Sequence, residues 1–127
     1  AVFQPARDAK TASVEPERAG RVAIKVAGRL RLVEQASIDW MESQGNYLAL
    51  HAGPTMHLIR RTLADFEAEL DAGRFVRIHR RVIVAVDRIG EMKSLANGDA
   101  TLQLIDGQQL RVSRRYRETV RKQWAGR

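Results

Sequence analysis

A basic segment runs directly into an apolar one at Phe75–Val86, FVRIHRRVIVAV. The last five residues, Val82–Val86, are apolar and mostly β-branched, and a membrane-spanning helix would need about 20 apolar residues. We therefore expect Val82–Val86 to form a fully buried strand. Four basic side chains precede this strand and would be fixed at its N-terminal end, where they could bind an anionic partner. They are Arg77, His79, Arg80 and Arg81.

The composition is that of a small basic domain. The chain has 127 residues, 44% of them hydrophobic, and a net charge of +7 from 22 Lys and Arg against 15 Asp and Glu. This balance favours a polyanionic partner, with charge for solubility alone as the alternative. Without cysteines the chain has no disulfide or thiolate metal site. The lack of cysteines suits a reducing cytoplasm, where we expect the protein. With no apolar stretch of membrane length and no signal peptide, we expect no membrane association.

The N-terminal segment differs from the rest of the chain. Residues 1–20 carry two of the three prolines and show no sustained hydrophobic period. We predict a linker or disordered tail over residues 1–20 and one domain over residues 21–127. The lack of an initial Met fits a piece of a longer protein.

Period-two patterns begin at residue 21. Val22 and Ile24 predict one buried face of a strand, Ala27-Gly28 predicts a turn, and Leu30 and Leu32 predict a returning strand. We expect these leucines to point inward and the neighbouring arginines outward. The outer face would then be basic and solvated, which discourages pairing at a sheet edge.

Short strands and two helices follow. Helix patterns occur at residues 62–70, where Thr62 can cap the first turn, and at residues 113–124, where apolar residues recur every four positions. The predicted fold class is therefore mostly β with two short helices, the second of them C-terminal. The remaining strands are expected at residues 38–42, 47–51, 56–60, 89–95, 101–104 and 109–112.

The two predicted helices differ in charge. Asp65 and Glu67 give the first an acidic, solvated face, which we expect to point away from nucleic acid. The second has Arg114 and Arg115 in its first turn, where the helix dipole favours anions, and we count one acid, Glu118, against seven cations around it. Free amides beside two arginines predict a phosphate site at this N-terminus.

Catalysis is poorly supported by the sequence. His51, His57 and His79 lack metal-ligand spacing, the glycines lie singly at turns and not in a phosphate loop, and no serine lies in a nucleophile elbow. We therefore predict a domain that is not an enzyme, with no catalytic residue, cofactor or metal.

Two basic clusters at junctions between elements, residues 77–81 and 111–122, predict nucleic-acid binding. Arg suits this role because its guanidinium can grip a phosphate or the O6/N7 edge of guanine. The scattered aromatic residues lack an exposed stacking row, which favours duplex DNA over RNA. The alternative is a protein-interaction or ligand-sensing β domain with basic loops. A steep fall of DNA affinity with salt would distinguish DNA binding from it.

Ordered pieces of the sequence resemble the LytTR DNA-binding domain of bacterial response regulators. The resemblance covers roughly residues 21–124. It implies an elongated arrangement of small antiparallel β-sheets whose inter-strand loops, and not a recognition helix, enter successive major grooves. The pieces include Ile38–Glu42 with Gly45-Asn46-Tyr47, Phe75-x-Arg77-Ile78-His79-Arg80, Asp106-Gly107 and Val112-Ser113-Arg114-Arg115.

The resemblance also implies three DNA-contacting loops. We expect Arg80 and Arg115 to read bases. Asn46 would read adenine or simply serve the turn, and His79 would brace its loop in preference to contacting bases. The first loop comprises Gln44, Asn46 and Tyr47, the second His79 and Arg80, and the third Arg114 and Arg115. The cations expected mainly to position phosphates are Arg77, Arg81, Arg114 and Arg117; for Arg81, simple solvation is the alternative.

The partners implied by the resemblance are duplex DNA with paired repeat sites and a second copy of the chain bound on it. An N-terminal receiver domain would be joined through residues 1–20. The operator, the regulated genes and the activating signal do not follow from the sequence.

Overall fold

A computed structural model describes residues 20–125 of the chain. The linker predicted at residues 1–20 therefore lies almost entirely outside the described residues. Within them the chain is mostly β, with two helices, as the sequence predicts. The elements are β1 Arg21–Val26, β2 Arg29–Glu34, β3 Trp40–Gln44, β4 Tyr47–Ala52, β5 Thr55–Ile59, α1 Leu63–Glu67, β6 Phe75–His79, β7 Val82–Ala85, β8 Ile89–Ser94, β9 Ala100–Leu104, β10 Gln109–Val112 and α2 Arg114–Ala125.

A five-stranded antiparallel sheet forms the middle of the described region. Its strand order is β5-β4-β3-β7-β6, while β1-β2 form a two-stranded sheet and β10-β9-β8 a three-stranded one. Strands that are joined by short turns pair with each other, as expected for hairpins. The exception is β3 with β7, which brings the two halves of the central sheet together.

The segment Phe75–Val86 forms a hairpin and not a basic approach to a single strand. Phe75–His79 is itself a strand, β6, and it pairs with β7 across a turn at Arg80 and Arg81. The predicted strand at Val82–Val86 is shorter than expected, because Val86 begins a single 3-10 turn. The basic residues therefore lie in and beside a turn at the end of the sheet.

Two hydrophobic cores lie on opposite faces of the central sheet. Ile83 faces the first core, which contains Phe66 of α1 and Ile24 of β1. Val84 faces the second core, which contains residues of β8–β10 and Val120 of α2. Because consecutive strand residues point to opposite faces, a continuous apolar run is required where both faces are covered. This explains the uninterrupted apolar sequence of β7.

In the first hairpin, the side chains of β2 face the opposite way from the prediction. The two-residue turn contains Ala27 at φ 52° and Gly28 at φ 79°, which pairs Val26 with Arg29 and Lys25 with Leu30. Directly paired residues share a face, so the arginines join the face of the buried valines and the leucines point outward. Leu30 is 76% exposed and Leu32 is 52% exposed. The predicted inward facing of the leucines is wrong, whereas Arg29 and Arg31 are exposed even though they lie on the face of the buried valines.

The first helix is shorter than the predicted residues 62–70. Its cap is confirmed, since the Thr62 hydroxyl accepts the Asp65 N–H at 3.0 Å. After Glu67 the backbone tightens, because the Glu69 N–H donates to the Phe66 carbonyl at 3.0 Å and the Leu70 N–H to the Glu67 carbonyl at 3.1 Å. Such i→i+3 bonds form a 3-10-type turn, so the α-helix ends at Glu67.

Candidate nucleic-acid interface

Several connections between strands lie together at one end of the strands of the central sheet. Because β3 is antiparallel to both β4 and β7, the β3–β4 turn, the β6–β7 turn and the end of β5 all lie at the same end of the strands. Neighbouring strands are about 4.8 Å apart, so these connections form a row of closely spaced projections. We call this end of the sheet the loop edge.

The first loop of the loop edge is the tight β3–β4 turn. Gly45 has φ 61°, a left-handed conformation that costs glycine little. The predicted site residues Gln44, Asn46 and Tyr47 are all exposed around it, and the Tyr47 side chain remains 43% exposed. Their side chains are thus accessible to a partner approaching this edge.

The second loop is fastened to the first through Arg81. The Ser43 N–H donates to the Arg81 carbonyl at 2.9 Å, and the Arg81 guanidinium returns two bonds of 3.4 Å to the Ser43 carbonyl. His79 accepts the Arg81 N–H on Nδ1 at 3.2 Å. This contact is of the kind that the predicted bracing role of His79 requires, and the guanidinium of Arg81 makes similar contacts with the neighbouring loop.

A bulge at Ile78 joins the second loop to the third. The β6–β7 register shifts between Arg77 and His79, and the side chain of Ile78 is fully buried in the second core. Its carbonyl, released from the ladder, accepts the Ser113 N–H at 3.0 Å. The start of α2 is thereby held against the end of β6.

Asp99 occupies the N-terminus of α2. Its carboxylate accepts the Arg114 N–H at 2.9 Å and the Arg111 guanidinium at 3.1 and 3.3 Å. The Arg114 amide, and secondarily Arg111, lower the pKa of Asp99 below its ordinary value against opposing desolvation. The Arg114 N–H is therefore not a free amide for a phosphate, because an internal carboxylate already accepts it. Asp99 is also a second acid in a cluster for which the sequence suggested only Glu118.

The cations near the loop edge fall into two groups. In the first group the guanidinium is bonded within the protein. Arg77 pairs with Glu67 at 3.2 Å and donates to the Arg80 carbonyl at 3.1 Å, and Arg121 pairs with Glu118 at 2.7 Å. These contacts occupy part of each guanidinium and place an internal carboxylate beside it, which competes with a phosphate for the same charge. Arg111, held by Asp99, belongs to the same group.

In the second group the guanidinium remains available. The side chains of Arg80 and Arg114 are exposed and make no hydrogen bond or ion pair with any residue in the described range 20–125. Arg115 is exposed, its guanidinium carbon lies 6.0 Å from the centroid of the Tyr116 ring, and its side chain makes no hydrogen bond with any described residue. Arg117, half-buried on α2, makes no hydrogen bond within the same range.

The residues that sequence reasoning missed are the supports of these loops. Ser43, Glu67 and Asp99 each fix an arginine that lies at least ten positions away along the chain. No local pattern signals such pairs. The Asn97-Gly98 turn was a partial signal, because it delivers Asp99 to α2; a Cβ on Gly98 would lie 3.3 Å from the Arg114 side chain.

The described residues contain no group of three or more His, Cys, Asp or Glu arranged to hold a metal ion. No helix among the described residues is long and apolar enough to span a membrane.

Comparison with known proteins agrees with this geometry. The family model of the LytTr DNA-binding domain matches residues 28–125. A LytTr DNA-binding domain from Bacillus cereus superposes with a TM-score of 0.72 at 23% identity, over 82% of this chain and 95% of that chain. At that identity the structural likeness supports the fold alone.

Curated relatives include sensory transduction and response regulatory proteins. The chain is 24% identical over 102 residues to the sensory transduction protein LytT of Bacillus subtilis, covering 80% of this chain and 42% of the relative. It is 29% identical over 108 residues to a response regulatory protein of Vibrio cholerae, covering 82% and 41%. The chain thus spans less than half the length of these relatives.

Proposed function

Because this chain belongs to the LytTR family of DNA-binding domains, we propose that it is the DNA-binding output domain of a bacterial response regulator that controls transcription. The observation that carries the proposal is the set of exposed, unpaired guanidinium groups on neighbouring connections at the loop edge. Cations on a braced scaffold suit the rigid, regularly charged surface of duplex DNA. The regulatory relatives support the same proposal.

In the proposed mechanism the loops enter the major groove and the sheet stays outside it. Arg80 and Arg115 read base edges, Arg114 and Arg117 position phosphates, and Asn46 occupies the apex of the first loop. The ion pair of Arg77 and the backbone bonds of Arg81 favour bracing roles for these two side chains over the phosphate contacts that the sequence suggested.

The wider architecture belongs to the same proposal. Two copies of the chain would bind paired repeats in DNA. A small domain that recognises one half-site binds more tightly when a second copy occupies the other half-site. Residues 1–20 would link residues 21–127 to a receiver domain, and the protein would act in the bacterial cytoplasm, where the DNA is. The lengths of the relatives are consistent with a further domain.

The test is selection of binding sites from random duplexes, followed by substitution of Arg115. Arg115→Ala is expected to cost about 1–3 kcal/mol of binding free energy and to relax discrimination at one base position. Arg121→Ala, on the same helix but already paired with Glu118, is the matched control and is expected to change little. The measurement is affinity for the selected duplex and its single-base variants.

Unchanged affinity and specificity in Arg115→Ala would remove Arg115 from the proposed interface. Binding that is absent at low salt, or flat with salt, would instead favour a domain that binds an acidic protein surface, since many phosphate contacts require a steep salt dependence.

A further inference from the structure

The junction between β5 and α1 carries two adjacent arginines whose side chains have opposite environments. Arg61 donates to both carboxylate oxygens of Glu69, at 3.3 and 2.6 Å, and its guanidinium lies 5.1 Å from the centroid of the Phe66 ring. These contacts hold Arg61 against α1. It has little remaining capacity for an external partner.

Arg60 is exposed and makes no hydrogen bond or ion pair with any residue of the described part of the chain. It follows Ile59, which is paired with Leu48, so Arg60 lies beside Tyr47 at the loop edge. Together with Gly45 and Asn46 it lines a surface concavity of about 420 Å³. A free cation therefore adjoins the first loop on the side away from Arg80.

We propose that Arg60 is a fourth DNA contact, which grips a backbone phosphate beside the first loop; this inference rests on the proposed function. The strand order β5-β4-β3-β7-β6 places Arg60 at one end of the row that continues through Asn46 to Arg80. Neighbouring strands are about 4.8 Å apart, so Arg60 extends the interface by roughly one strand spacing beyond the β3–β4 turn.

The position of Arg60 favours a phosphate over a base. Asn46 lies at the apex of a hairpin turn, whereas Arg60 lies one residue beyond the last ladder pair of β5 and is set back from that apex. When the apex of the turn enters a DNA groove, the guanidinium of Arg60, which is set back beside it, would meet the phosphates of the DNA strand that borders the groove. Asp65 also lines the concavity, so the acidic face of α1 does not point away from the loop edge as predicted. Its carboxylate repels a phosphate on its own side of the concavity, which favours a phosphate contact on the side of Arg60.

The test is Arg60→Gln, which preserves the length and polarity of the side chain but removes its charge. We expect affinity to fall about five- to tenfold near 0.1 M salt, on a duplex selected from random sequences and on an unrelated duplex alike, since a phosphate contact carries no base information. The slope of log affinity against log salt is expected to become shallower by about 0.9. Arg60→Lys is expected to retain most of the affinity.

Arg21→Gln is the matched control, with the same change of charge. Arg21 begins β1, and its weak ion pair with Glu34 spans 3.9 Å between exposed side chains. The neighbouring Gly20 carbonyl accepts the Gln35 N–H, and Gln35 in turn accepts the Asp71 N–H. Asp71 precedes β6, whose start lies at the opposite end of the central sheet from Arg80, so Arg21 is remote from the loop edge.

The outcomes separate this inference from the proposed function. If Arg60→Gln binds both duplexes within about twofold of Arg21→Gln, with an unchanged salt slope, the inference is overturned. If Arg115→Ala still weakens binding in that case, the proposed function stands without Arg60. If the wild-type chain shows no salt-dependent binding to either duplex, the proposed function and the inference both fail. Thermal unfolding of each variant verifies that the fold is retained.

Discussion

At the scale of single residues, carboxylates and carbonyls that are distant in sequence determine whether each guanidinium is bonded within the protein or available to a partner. Arg77 and Arg80 are three positions apart in one basic run, yet one is paired with Glu67 and the other is free. Composition predicted the basic patch correctly. It could not predict which cations are available, because that depends on contacts made only in the folded chain.

Asp99 gives a residue-scale prediction about pH. Because its pKa is lowered in the folded protein, its stabilising contribution is fully present above the ordinary Asp pKa and is lost as the pH falls through the lower, folded value. Wild type is therefore expected to be more stable than Asp99→Asn at neutral pH, with the difference shrinking on acidification. Urea unfolding at a series of pH values from about 7 to about 2 measures this difference. A difference that stays constant over the whole range would contradict it.

At the scale of elements, the sequence predicted where the strands lie, but it did not predict which side chains of β2 face the core. The alternation in the first hairpin identified both strands, and the cap at Thr62 identified the start of α1. The facing of β2 depended on the length of one turn, since two residues at Ala27-Gly28 pair Val26 with Arg29. A shift of one residue would have turned every side chain of β2 to the other face.

This register gives an element-scale prediction. Leu32, which points outward, should tolerate Leu32→Thr with a change within about 0.5 kcal/mol in the free energy of unfolding. Ile24, 1% exposed in the first core, should lose about 2–4 kcal/mol on Ile24→Ala because a cavity forms. Chemical denaturation of both variants measures the two free energies. A large loss from Leu32→Thr would mean that the leucines are buried after all.

At the scale of the whole molecule, the central sheet joins two cores and presents its loops at one end. The Ile78 bulge and the Ser43–Arg81 bonds connect the three loops into a single supported unit. At the opposite end, Asp39 binds the Arg88 guanidinium at 2.6 Å and the Gly53 N–H at 3.0 Å. These bonds hold the central sheet against the segment that precedes β8. The central sheet is therefore braced at the loop edge and at its opposite end.

The bulge and these ties also mark where prediction from sequence ends. The resemblance suggested the three loops, but the supports beneath them involve a carbonyl of Ile78 that leaves its ladder and a carboxylate delivered by another sheet. Backbone bonds of this kind leave no trace in residue type. The same is true of the adjacent pair Arg60 and Arg61, because residue type does not show that Glu69 binds Arg61 and that Arg60 stays exposed.

The most direct test of the central claim is to map amide chemical shifts while an isotope-labelled chain is titrated with duplex DNA. The largest changes are expected at the loop edge, in residues 44–47 and 79–81, and at the adjoining start of α2, in residues 114–117. Amides at the opposite end, such as Gly53 and Gly107, are expected to change little. Changes centred on that opposite end, or no changes at low salt, would contradict the claim that the loop edge binds DNA.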